Sequence, residues 1–158
     1  MIEQTESPDA VGLRLVLEHT NLVRIAMSFI IMNLQGRLLT HDQSKFLDEE
    51  KELRLGKQTL NNIPYNTLEY YQSLEKVKDG LMHHYRENDH HPEHYKNATV
   101  EEMSLLAQLE MLADWYSVCL EKDNDFMTVL NEQKERFNIT DIVFNSLVQT
   151  AKELEWIK

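Results

Sequence analysis

Apolar residues recur at three- and four-residue steps from Val11 to about Leu39, and the period predicts a first helix. Leu13, Val16, Leu17, Val23, Met27, Ile30, Ile31 and Leu34 carry it. Thr40 followed by Gln43 reads as a capping box, so a second helix is expected from near His41 to about Leu55. Gly56 to Asn66 holds Gly, Asn-Asn and Pro64 and reads as a connecting loop. A third helix is expected from about Thr67 to Glu87. Asn88 to Ala98 contains Asp89 and Pro92 and cannot be a regular helix interior. Thr99 with Glu102 is a second capping box, opening a fourth helix to about Glu121. After a break at 123–125, a fifth helix covers about Asp125 to Phe137, and a sixth follows the turn at 138–140 to about Leu154. No stretch alternates with period two, so no sheet is expected, and the fold class is an all-α, single-domain bundle of about six helices.

Composition supports that reading. Gly (4) and Pro (3) are scarce among 158 residues, while helix formers are plentiful. With 42% hydrophobic and 27% charged residues the chain is of globular type. It divides into a flexible leader, 1–10, and one domain, 11–158. The single Cys119 excludes an internal disulfide and agrees with a reducing cytoplasm. The apolar stretch Ile25 to Leu34 is too short and too interrupted to span a bilayer, so no membrane contact is expected. A net charge of −11 argues against a double-stranded nucleic acid partner. It leaves room for a small anionic substrate if metal ions supply local positive charge. From Asp125 onward nothing points to chemistry, and these helices complete the bundle or form a homodimer contact.

The seven histidines are not scattered. His83, His84, His90, His91 and His94 crowd into one stretch, while His19 lies inside the first helix and His41 precedes Asp42. A lone His19 near an apolar helix face is more often a core residue than a ligand, and a His-Asp pair alone is weak. The five-histidine stretch is harder to read as solvated surface. Asp114 sits in the apolar run from Met103 to Cys119, with Glu110 one turn before it on the same face. Two acids there repel unless a cation lies between them. In chain order the pattern is a histidine, a His-Asp pair, a histidine cluster and an aspartate. Imidazole with carboxylate suits zinc, iron, manganese or nickel better than calcium, and the lack of thiolates argues against a cysteine-type structural site.

This order resembles the HD superfamily of metal-dependent phosphohydrolases. The resemblance implies an all-helical fold whose metal is held by His19, His41, Asp42 and Asp114. Two-metal members add intervening histidines, here His83 or His84 and His90 or His91, with Asp42 bridging. The chain is also similar to a family of small uncharacterised bacterial and phage proteins in His41-Asp42-Gln43-Ser44-Lys45-Phe46, in His83-His84 through Asn88 to His90-His91, and in Glu110 to Trp115. That likeness covers most of His19 to Tyr116 and implies no particular activity.

The first expectation is hydrolysis of a nucleotide or other small phosphate ester, using one or two divalent ions (Mn, Fe, Zn, Co, Ni or Mg). Lys45, at i+4 from His41, would reach a phosphate, and Glu49, one turn further, would orient it or move a proton. Arg86 and Asn88 flank the cluster as substrate contacts. The second is an HD-type di-iron oxygenase, which the same ligands permit. The third is a non-enzymatic, metal-stabilised interaction protein.

Overall fold

The computed structural model describes residues 7–63 and 67–157. Every regular element among them is helical, as expected. The described residues form seven α-helices: α1 (Pro8–Thr40), α2 (Lys51–Asn61), α3 (Leu68–Glu75), α4 (Lys78–Glu87), α5 (Leu105–Lys122), α6 (Phe126–Phe137) and α7 (Asp141–Glu153). Single 3-10 turns lie at Gln43–Phe46, Asp48–Glu50, Pro92–His94 and Val100–Glu102. The chain divides into two units, 1–39 and 40–158.

The first unit is the helix α1. It starts inside the expected leader because Pro8 suits a first helical turn and Ser7 Oγ accepts from Ala10 N–H at 3.2 Å. Residues 1–6 of that leader lie outside the described residues. None of α1's residues is buried, and the apolar positions are not confined to one stripe. Leu15, Leu22, Ile25 and Phe29 are as exposed as the residues of the three-four pattern. At 33 residues, with mean hydropathy 1.4 over an 18-residue window, α1 is long and apolar enough to cross a membrane by length and composition. The reading from Ile25 to Leu34 alone understated it. A core helix or a signal sequence passes the same test.

In the second unit the boundaries moved where local turn chemistry competed with helix signals. No α-helix begins at His41. Asp42 takes the left-handed conformation (φ 56°), which stops α1, and 3-10 turns carry the chain to Lys51. The expected loop from Gly56 is partly helix. Gly56 lies inside α2, where a Cβ would meet Val77 Cγ1 at 2.7 Å, so its missing side chain admits the neighbouring segment. Pro64 lies outside the described residues. The expected third helix breaks at buried Val77 into α3 and α4. The helix expected from Thr99 begins instead after Ser104, whose Oγ accepts from Ala107 N–H at 3.2 Å. Asp125 caps α6 in the same way, through Thr128 N–H at 2.8 Å.

The core is built from α5, α6 and α7. Met111 and Leu112 of α5, Leu130 of α6 and Ala151 of α7 are essentially inaccessible, and Val100 and Met103 are buried in the same cluster. Trp115 stacks on Phe137 and Tyr116 on Trp156. The helix α5 therefore has a core face and, beside it, the acids Glu110 and Asp114. On the other side of the site, Gly80 of α4 brings a would-be Cβ within 3.2 Å of Leu53 Cβ, so the 48–50 turn and α2 press close on α4.

Candidate metal centre

Three pieces of chain meet in the second unit. The turn after α1 supplies His41, Asp42, Ser44 and Lys45. The helix α4 and the following turn supply His84, His90 and His91. The helix α5 supplies Glu110 and Asp114. The left-handed backbone at Asp42, a conformation aspartate tolerates better than most residues, turns the carboxylate inward. Arg54 holds that turn by donating to the carbonyls of Lys45 and Leu47. Asn88 is buried and ties α4 to it, donating to Ser44 Oγ at 2.6 Å and to the His84 carbonyl at 2.8 Å.

The donor atoms form overlapping nests. Asp42, His84, His90 and His91 make one, and His41, Asp42 and Asp114 make another. In the first, His84 Nε2 is 3.3 Å from Asp42 Oδ1 and 2.9 Å from His91 Nε2, while His90 Nε2 is 3.5 Å from Asp42 Oδ1. Atoms held about 2.1 Å from one ion are separated by about 3.0–3.4 Å at octahedral to tetrahedral angles. Asp42 Oδ1 and His90 Nε2 are buried with no hydrogen-bond partner. Buried polar atoms are rarely left so, and these two point at each other across the nest. In the second nest, His41 Nε2 lies 3.4 Å from Asp42 Oδ2 and 3.7 Å from Asp114 Oδ1.

Two glutamates orient the rings from behind. Glu50, fully buried, accepts from His84 Nδ1 at 3.1 Å and from His83 Nδ1 at 2.9 Å. Glu110 Oε1 accepts from His41 Nδ1 at 2.8 Å and lies 3.2 Å from His90 Nδ1. With an Nδ1 proton so engaged, Nε2 of His84 and His90 keeps its lone pair for the centre, and Nε2 of His41 joins them when that ring gives up its second proton, the arrangement usual behind metal-binding histidines. Changing Glu50 to Gln leaves one of the two rings facing an amide N–H₂ instead of an acceptor. The expected outcome is a metal affinity about 10–100-fold weaker by calorimetric titration. An unchanged affinity would show that Glu50 does not orient His84.

Burial and the neighbouring charges shift several of these groups. Carboxylates of Asp114 and Glu110 raise His41 to about 10, against the lowering effect of burial, so in the metal-free protein the ring takes up a proton. Burial pushes Asp42 up, but His90, Lys45 and His41 outweigh it and hold the carboxyl well below its usual range. Burial likewise opposes ionisation of Asp114, and His41 with the neighbouring imidazoles keeps it lowered. Burial, then the adjacent rings of His90 and His84, lower His91 to about 3, and burial followed by Lys45 lowers His84. Neutral imidazole is the form that binds metal. These histidines and acids can form a metal site.

The chain belongs to the family of unknown function DUF5662. Its model matches residues 10–157, so membership takes in both units. No curated protein and no solved structure matches the chain.

Of the residues singled out from the sequence, His41, Asp42, His84, His90, His91 and Asp114 come together. His19 is exposed on α1, in the first unit, and is not among the residues gathered in the second. His83 faces Glu50 and a surface cleft rather than the nests. Glu49 and Arg86 line that cleft with Asp79 and Glu93, and Arg86 pairs with Glu87. Lys45 donates to Asp42, three residues back, and not along an i+4 helix face, because no α-helix runs there. Asn88, expected as a substrate contact, spends its amide inside the protein. Glu50 was missed. It ends the acidic run Asp48-Glu49-Glu50, which reads as a solvated turn, and only the packing of that turn on α4 buries it. Glu110 was visible as one of two acids asking for a cation, though its place behind His41 and His90 was not.

Proposed function

We propose that the second unit is a metal-dependent phosphohydrolase acting on a nucleotide or another small phosphate ester, with one or two divalent ions held by the Asp42-centred nests. The observation that carries the reading is the facing pair of orphaned buried atoms, Asp42 Oδ1 and His90 Nε2, inside a set of nitrogen and oxygen donors. A bound ion would supply Lewis acidity and bring a bound water's pKa toward neutrality. The chain's own residues would do the rest. Glu50 and Glu110 hold the imidazoles in one tautomer, and Asp114 and Asp42 set the charge. The Lys45 ammonium, 35% exposed at the rim, offers a cation to an approaching phosphate oxygen. The order His41-Asp42, histidine cluster, Asp114 is that of the HD superfamily, and this likeness supports the choice of phosphate esters.

An HD-type di-iron oxygenase is the second reading, favoured by the share of imidazole in the first nest, since histidine-rich sites with a carboxylate suit iron. One series separates the two. The purified protein is analysed for metal as isolated, then loaded in turn with Mn²⁺, Co²⁺, Ni²⁺, Mg²⁺, Zn²⁺ or Fe²⁺ and assayed on nucleoside mono-, di- and triphosphates. Phosphate release that a chelator abolishes and metal restores is the expected result. Retained iron with a visible absorption band and oxygen uptake would favour the oxygenase. Failure to hold any of these metals would sink both and leave an acidic helical interaction protein.

A further inference from the structure

The two oxygens of Asp42 meet different neighbours. Oδ1 faces the Nε2 atoms of His84 and His90 and has no hydrogen-bond partner. Oδ2 accepts from the Lys45 ammonium and lies 3.4 Å from His41 Nε2. One nest thus has open donor atoms, while the other already carries a cation on the oxygen it shares.

Lys45 is placed there by its backbone. The Gln43–Phe46 turn sets its side chain over Asp42, three residues back, and Arg54 grips the Lys45 carbonyl. Two ions bridged by one carboxylate sit about 3.5–4 Å apart, one on each oxygen. An ammonium on Oδ2 stands where the second ion would attach. A dication brought beside it would also meet like-charge repulsion in a partly buried setting.

We propose that Lys45 is the second cation of this site. Its ammonium replaces a second metal ion on Asp42 and leaves a mononuclear centre at Asp42 Oδ1, His84, His90 and His91. The inference rests on the metal-site reading above, and narrows it to one ion.

The test is metal stoichiometry of the full chain with Mn²⁺, by calorimetric titration and by the electron paramagnetic resonance signal, on wild type, Lys45→Met and Lys45→Arg. Wild type and Lys45→Arg should take up one equivalent with an uncoupled manganese spectrum. Lys45→Met, which keeps length and loses charge, should take up two, with the spectrum of a coupled pair. Two equivalents in wild type, or one in Lys45→Met, would overturn the inference and leave the metal site standing. No uptake by wild type would overturn both. Circular dichroism checks that each variant is folded, and Lys45→Gln carries the same comparison should Lys45→Met fail to fold.

Discussion

Asp42→Asn protein is expected to retain no stoichiometric metal while keeping its helical fold. Asp42 is the residue common to both Asp42-centred nests, and its Oδ1 is one of the two orphaned atoms. An amide is a poorer ligand for a divalent ion than a carboxylate and removes a negative charge from the middle of the site. The substitution is chosen for the backbone. Asp42 has φ 56°, where alanine would be strained and asparagine is tolerated. Its size is unchanged, so the packing of His84 and His90 around it need not shift. Elemental analysis beside circular dichroism reads both halves. A folded Asp42→Asn protein that still holds wild-type metal would show that the ion sits elsewhere.

Leu112→Ala is expected to lower the unfolding free energy by about 2–5 kcal/mol, a large part of the roughly 5–15 kcal/mol typical of a domain. Leu112 is inaccessible in the core among α5, α6 and α7, and truncation leaves a cavity that the surrounding core residues close only in part. The same helix carries Glu110 and Asp114, so this variant tests the scaffold rather than the ligands. Metal that binds only the folded state stabilises by about 2.7 kcal/mol at a hundred times Kd. Added metal should therefore raise the denaturation midpoint of wild type and Leu112→Ala alike, and leave that of Asp42→Asn where it was. Chemical denaturation with and without metal makes the comparison. A midpoint for Leu112→Ala equal to wild type would mean that this core does not hold the unit together.

The helical class was legible because it rests on local physics. Scarce Gly and Pro and the three-four apolar period need no tertiary information, and α1, α6 and α7 follow them closely. The His-Asp pair, the histidine cluster and Asp114 were legible for a different reason. Acids and imidazoles are costly in apolar surroundings, so their presence beside α5's apolar run already implied partners. Three things were not legible. Which histidine of His83-His84 faces inward depends on how α4 rolls against the 48–50 turn, and Gly80 sets that approach. The His41 turn looked like a helix start, because a capping box and a left-handed Asp42 share the same residue types. The burial of Glu50 follows from no feature of its own segment. By itself, then, the sequence determined that the chain is helical and marked the histidines and acids that could share a metal ion. Only tertiary structure decided which ring nitrogens of the later histidines meet Asp42, because that depends on contacts between residues 42 to 48 positions apart, which no local period encodes.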